Sequence, residues 1–172
     1  MNQLIFIFVF PTKTKIHHPN CMNETSYPFG QTRAEFRYEF TSISKQKEVR
    51  KVVLFSAGED DQFYNLALLD ILPDGSTSDI TETKNQDMKT VLATVIQIII
   101  HFLEKRSDAF ILFQGSDQRR QRLYRTLINR EYDRIKDTFI VRGVIDETVE
   151  FFEPNRPYDF FIINRKHQNN EI

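Results

Sequence analysis

The residues best placed to do chemistry cluster at one turn. Phe113 ends an apolar run, Gln114-Gly115-Ser116 follows, and a helical pattern begins at Asp117. Gly115 permits a sharp turn, and Ser116 or Asp117 supplies a helix cap. Backbone N–H groups at a helix start lack intrahelical partners and attract anions. Six arginines follow: Arg119, Arg120, Arg122, Arg125, Arg130 and Arg134. At roughly 100° per residue, Leu123, Tyr124, Leu127, Ile128 and Ile135 share one face. Arg120 falls within that face, one turn before Tyr124, while Arg119, Arg122 and Arg125 lie toward solvent. Two readings stay open. In one, Gly115, Ser116, Arg120 and Arg122 bind a phosphate or carboxylate, and Tyr124 is a proton donor. In the other, the basic face is solvated and Arg120 bridges to a carboxylate of a neighbouring element. Asp117 counts against the first, because its negative charge at the helix start opposes an anion.

Other chemistries find no support. His17-His18 lies near the start, His101 sits in an apolar run and His167 in the tail, so no Cys/His cluster has zinc spacing. Asp60-Asp61 is a hairpin tip without calcium-ligand spacing. Ser56 and Ser116 have no histidine of predictable proximity. Five glycines form no Walker-type or dinucleotide pattern. Asn65 is a polar exception on an apolar strand, and the expectation is a core amide with its hydrogen bonds satisfied.

The elements that must carry the turn follow from periodicity. Residues 33–42 alternate with Phe36, Tyr38 and Phe40 on one face, as a half-buried strand does. Residues 50–56 and 63–72 read as two more strands. The acidic loop 57–62 separates them, and Pro73-Asp74-Gly75 ends the last. Residues 88–103 are nearly all apolar and too long for a strand. They predict a buried helix with Asn85 or Asp87 as N-cap. Its many β-branched residues weaken helix propensity, so packing must hold it. Residues 109–113 predict a central strand, 117–135 the arginine helix, and 139–145, 149–152 and 158–164 three closing strands. The expected class is α+β: a mixed, mainly antiparallel sheet with two helices, in the order βββ-α-β-α-βββ.

Bulk properties bound the function. The chain has 172 residues, 16 Phe, 6 Tyr and no Trp, enough for one aromatic core. Net charge −1 argues against a constitutive nucleic-acid binder. The charge is uneven: residues 57–87 hold eight acids against one lysine, and residues 114–142 hold eight bases against four acids. One cysteine, Cys21, excludes an internal disulfide and fits a reducing, cytoplasmic setting. LIFIFVF at 4–10 is too short to span a bilayer, and no signal-peptide flanks surround it, so no membrane role is expected. The polar run after Met22 marks that residue as the expected functional start. Residues 1–21 are then an extension, 22–166 one domain and 167–172 a fraying tail.

The segments KVVLF, FYNL, KTVLATV, FQGSDQRRQRLYRTLIN and YDFFIINRK resemble a bacterial family of short proteins classed as a domain of unknown function. That resemblance runs from about Tyr27 to Lys166 and implies no activity. At fold level the element order is also similar to the later part of the GNAT acyltransferases. Leu123-Tyr124 with Leu127 is similar to the helix that carries their acid tyrosine, which implies Tyr124 as proton donor. Their glycine-containing pyrophosphate loop would fall on TETKNQDMK, which has no glycine, and no cofactor is expected. Two functions are therefore carried forward. One is a non-enzymatic binding module that meets a protein or nucleic acid through Arg119, Arg122 and Arg125. The other is a small transferase-like enzyme with its pocket between Gly115 and Tyr124.

Overall fold

Alternation in the strands and two long helical patterns resolve into a nine-stranded sheet with two helices. In the computed structural model, residues 25–32, 36–45, 47–78 and 87–166 are described. In chain order the strands are β1 (Phe29–Gln31), β2 (Arg37–Ile43), β3 (Glu48–Ala57), β4 (Phe63–Ile71) and β5 (Thr77–Ser78). Helix α1 (Met88–Lys105), β6 (Phe110–Phe113) and α2 (Gln118–Ile135) follow, then β7 (Phe139–Ile145), β8 (Thr148–Phe151) and β9 (Phe160–Arg165). The spatial order is β1-β2-β3-β4-β6-β9-β7-β8, with β5 paired to β4. Every pairing is antiparallel except β4 with β6.

This is the expected α+β class and element order, with two short strands added. β1 and β5 hold three and two residues, too few to show a period of two in the sequence. Residues 33–35 of the first expected strand, Asn85, residues 1–21 and the tail 167–172 lie outside the described residues.

Strand alternation sorts the side chains onto two faces. Tyr38 and Phe40, Val53 and Phe55, Tyr64 and Leu66, Ile111 and Phe113, and Phe161 and Ile163 all join one core with both helices. Phe55 stacks on Phe102 of α1 at 4.0 Å, and Phe113 meets Tyr124 of α2 edge-on at 5.7 Å. Burial runs almost unbroken from Val91 to Leu103, so packing holds a helix that β-branched residues would otherwise disfavour. Among the described elements, no helix covers the opposite sheet face, which carries Leu54, Asn65, Leu112, Phe160 and Arg142. No described helix is long and apolar enough to cross a membrane.

Asp87 stands at the N-cap position of α1, but its side chain does not cap. Its Oδ2 instead accepts from the hydroxyls of Ser42, at 2.5 Å, and Tyr27, at 2.7 Å. The carboxylate thus ties the helix start to β2 and to the segment before β1. Lys51 and Asp70 face each other across β3 and β4 and form a buried ion pair at 2.5 Å.

Candidate functional site

β4 and β6 run side by side for only three residue pairs, Phe63 with Phe110 to Asn65 with Leu112. β6 ends at Phe113 and the chain turns out of the sheet into α2, while β4 continues to Ile71. A shallow cleft of about 360 Å³ opens where the two strands part. Asn65, Leu66, Leu112, Phe113, Gln114 and Phe160 line it. In open sheets, ligands favour the carboxyl ends of parallel strands for this reason: the backbone leaves a crevice there.

Asn65 is not the satisfied core amide expected from the sequence. It is exposed on the helix-free face, because Tyr64 and Leu66 take the core positions on either side of it. The side chains of Asn65 and Gln114 make no hydrogen bond among the described residues. The cleft therefore presents two exposed amides beside Leu112 and Phe160.

The turn beside it is tightly tied. Gly115 N–H donates to Gln121 Oε1 at 2.6 Å, and Gln121 Nε2 donates to the Tyr158 carbonyl at 2.8 Å. A Cβ on Gly115 would lie 2.1 Å from the Gln121 backbone nitrogen, so only glycine lets the turn lie against the helix. Asp117 is the cap: its Oδ1 accepts from Arg120 N–H at 2.8 Å. Two N–H groups of the expected anion cradle are thus spent on the chain's own side chains.

Arg120 is half-buried in the first turn of α2, and its Nη1 donates to Ser116 Oγ at 2.6 Å. It has no carboxylate partner among the described residues. Tyr124 is buried against Phe113, and its hydroxyl makes no hydrogen bond among the described residues. Burial pushes its pKa above the ordinary tyrosine value, and the neighbouring Arg120 charge opposes that shift. Tyr124 is therefore protonated at neutral pH.

The geometry joins Ser116 to Arg120 and sets Tyr124 close to Arg120. Arg122 is exposed and outside that group. The arginine helix is less free than its sequence suggests. Buried Glu131 holds Arg130 at 2.7 Å and Arg134 at 3.3 Å. Arg122 and Arg125 have no side-chain partner among the described residues. Gln114, Gln121 and Phe160 were not foreseen as site residues. Gln114 sits in a turn and Phe160 in a Phe-Phe pair, and only the pairing of β9 decides which ring faces the cleft.

A second cleft of about 420 Å³ lies at the end of α1, lined by Gln31, Tyr38, Phe102, Lys105, Arg106 and Asp108. Its polar groups other than exposed Asp108 are engaged. Lys105 Nζ donates to Gln31 Oε1 at 2.6 Å, and Arg106 lies over the Phe36 ring and donates to the Tyr64 hydroxyl at 3.2 Å. No group of three or more metal-ligating side chains occurs among the described residues.

The chain belongs to a family of unknown function, DUF6934, whose match covers residues 23–166. No curated protein and no solved structure matches the chain.

Proposed function

We propose that the chain is a small-ligand-binding protein whose site is the cleft where β4 and β6 part. One observation carries this reading: two exposed amides, Asn65 and Gln114, flank a crevice lined by Leu112 and Phe160 at the carboxyl end of the parallel strand pair. We assign Ser116 and Arg120, which follow Gln114 on the same turn, as its anion-binding part, with Gly115 setting the turn. This differs from a macromolecular interface on the arginine helix. Glu131 engages two of the six arginines, and the two without partners among the described residues, Arg122 and Arg125, are too few for strong phosphate-backbone binding. The single cysteine supports a reducing, cytoplasmic setting.

A fragment screen followed by two-dimensional ¹H–¹⁵N NMR tests the site. A ligand of the cleft shifts the side-chain NH₂ signals of Asn65 and Gln114. Asn65→Ala or Gln114→Ala then weakens its binding by about tenfold, as the loss of one net hydrogen bond implies. Fragments that leave both NH₂ signals unmoved, or that bind the two variants as well as the native chain, refute the reading.

One observation favours a transferase as the second reading. The Tyr124 hydroxyl is protonated, makes no hydrogen bond among the described residues and lies close to Arg120, as a waiting general acid would. Tyr124→Phe would then abolish turnover of a bound donor while leaving its binding intact.

A further inference from the structure

We infer that the cleft takes a nucleobase, presented as a nucleoside monophosphate whose phosphate meets Ser116 and Arg120. This inference rests on the ligand-binding reading above and names the ligand class.

The cleft's own residues define what fits. None of the lining side chains is charged, so the group that enters is neutral. Each amide offers an acceptor and two donors. Asn65 and Gln114 can therefore meet a ligand edge that alternates donors and acceptors, as amides do when they read base edges. Leu112 gives apolar surface and the half-buried Phe160 ring gives an aromatic face, while Leu66 and Phe113 turn their side chains to the core. A planar ring with apolar faces and a polar rim satisfies both sets of groups. A sugar would leave the apolar surface without a partner, and an aliphatic chain would leave both amides unpaired.

The phosphate has a place within reach. Ser116 lies two residues beyond Gln114, so their Cα atoms are at most about 7 Å apart. Arg120 already donates to Ser116 Oγ and has no carboxylate partner among the described residues. Two carboxylates oppose the anion and set a limit on affinity. Asp117 is exposed and accepts from Arg120 N–H. Asp159 is exposed, and its Oδ2 accepts from Asp146 N–H at 3.2 Å.

The test uses the full chain labelled with ¹⁵N. The probes are the four ribonucleosides, their 5′-monophosphates, ribose 5-phosphate, inorganic phosphate and a blocked dipeptide amide. At least one nucleoside should shift the Asn65 and Gln114 NH₂ signals, and its monophosphate should bind at least tenfold tighter. Arg120→Ala should remove that tenfold gain, so that the variant binds nucleoside and monophosphate equally. Phe160→Ala should weaken nucleoside and nucleotide alike, with an unchanged circular dichroism spectrum to show that the fold persists. Shifts from the dipeptide amide but from no nucleoside overturn the nucleobase and leave the cleft standing. Equal binding of ribose 5-phosphate and the monophosphates also overturns it, because the base then contributes nothing. No shift from any probe overturns the ligand class and the cleft together.

Discussion

The buried Lys51–Asp70 pair gives a sharp test of how the sheet is held. Its two side chains are 7% and 8% exposed, and the charged atoms stand 2.5 Å apart. Asp70 Oδ2 is buried and accepts no hydrogen bond among the described residues. The pair is therefore charged, desolvated and incompletely satisfied. Removing one partner leaves an uncompensated buried charge, which costs about 3–5 kcal/mol. Lys51→Met and Asp70→Leu should each destabilise the chain by that amount. Combined, they replace both charges with apolar groups of similar size, and the double variant should return to within about 1 kcal/mol of the native chain. Urea unfolding followed by circular dichroism at 222 nm measures all four proteins in one cycle. The coupling energy should be at least about 5 kcal/mol. Asn65 and Asp70 are five residues apart on one strand, about 17 Å, so ligand binding at the cleft should not change. A coupling below about 0.5 kcal/mol, or a double variant as unstable as the sum of the singles, refutes the reasoning.

Four further outcomes follow from particular contacts. Gly115→Ala forces a Cβ to within 2.1 Å of the Gln121 nitrogen, so it should displace the turn and lower the melting temperature, while Gln121→Ala should cost only about 1–2 kcal/mol. Tyr124→Phe should change stability by less than about 0.5 kcal/mol in chemical denaturation, because the hydroxyl has no partner among the described residues to lose. Burial raises the pKa values of Tyr27, Tyr124 and Tyr158 in the folded chain. Unfolded tyrosines ionise near pH 10, so the stability this gives is complete below that pH and is lost as pH rises toward the folded values. Melting curves between about pH 8 and 11 should show that fall, and a flat profile contradicts it. Glu131→Gln leaves Arg130 and Arg134 without their shared carboxylate and should cost about 1–3 kcal/mol by urea unfolding.

The sequence made the fold class legible because its long elements carry clear periods. Tyr38-Phe40, Val53-Phe55 and the apolar run of α1 each point to one buried face, and all three join the same core. The site was legible only in part. Gly115, Ser116 and Arg120 announced a turn into a helix, since glycine, a hydroxyl and a basic first turn are local signals. Asn65 stood out as a polar residue in an apolar strand, but strand period alone could not say which sheet face a helix would leave bare. Phe160 and Gln114 had no local signal, because their role depends on the pairing of β9 with β6. Arg130 and Arg134 looked solvated, yet both reach Glu131, three residues or fewer away along the same helix. A charge count along the helix could not show that one buried acid binds two of its arginines.

The position of the cleft follows from the one parallel pairing in an otherwise antiparallel sheet. Antiparallel neighbours joined by tight turns end together, and their ends close over the core. β4 and β6 are joined instead through β5 and α1, so nothing in the turn geometry matches their lengths. β6 stops after four residues because Gly115 lets the chain lie against the first turn of α2, and Gln121 then fixes that departure to Tyr158. β4 has no such constraint and runs on to Ile71. The crevice is therefore the consequence of a short strand beside a long one. Gly115 and Gln121 hold it open from outside the lining itself. A longer β6 would fill the space that Asn65 and Gln114 now face. Loosening the departure by Gln121→Ala should accordingly broaden the Asn65 and Gln114 NH₂ signals in the unliganded chain. Unchanged line widths there would show that the cleft owes its shape to the strands alone.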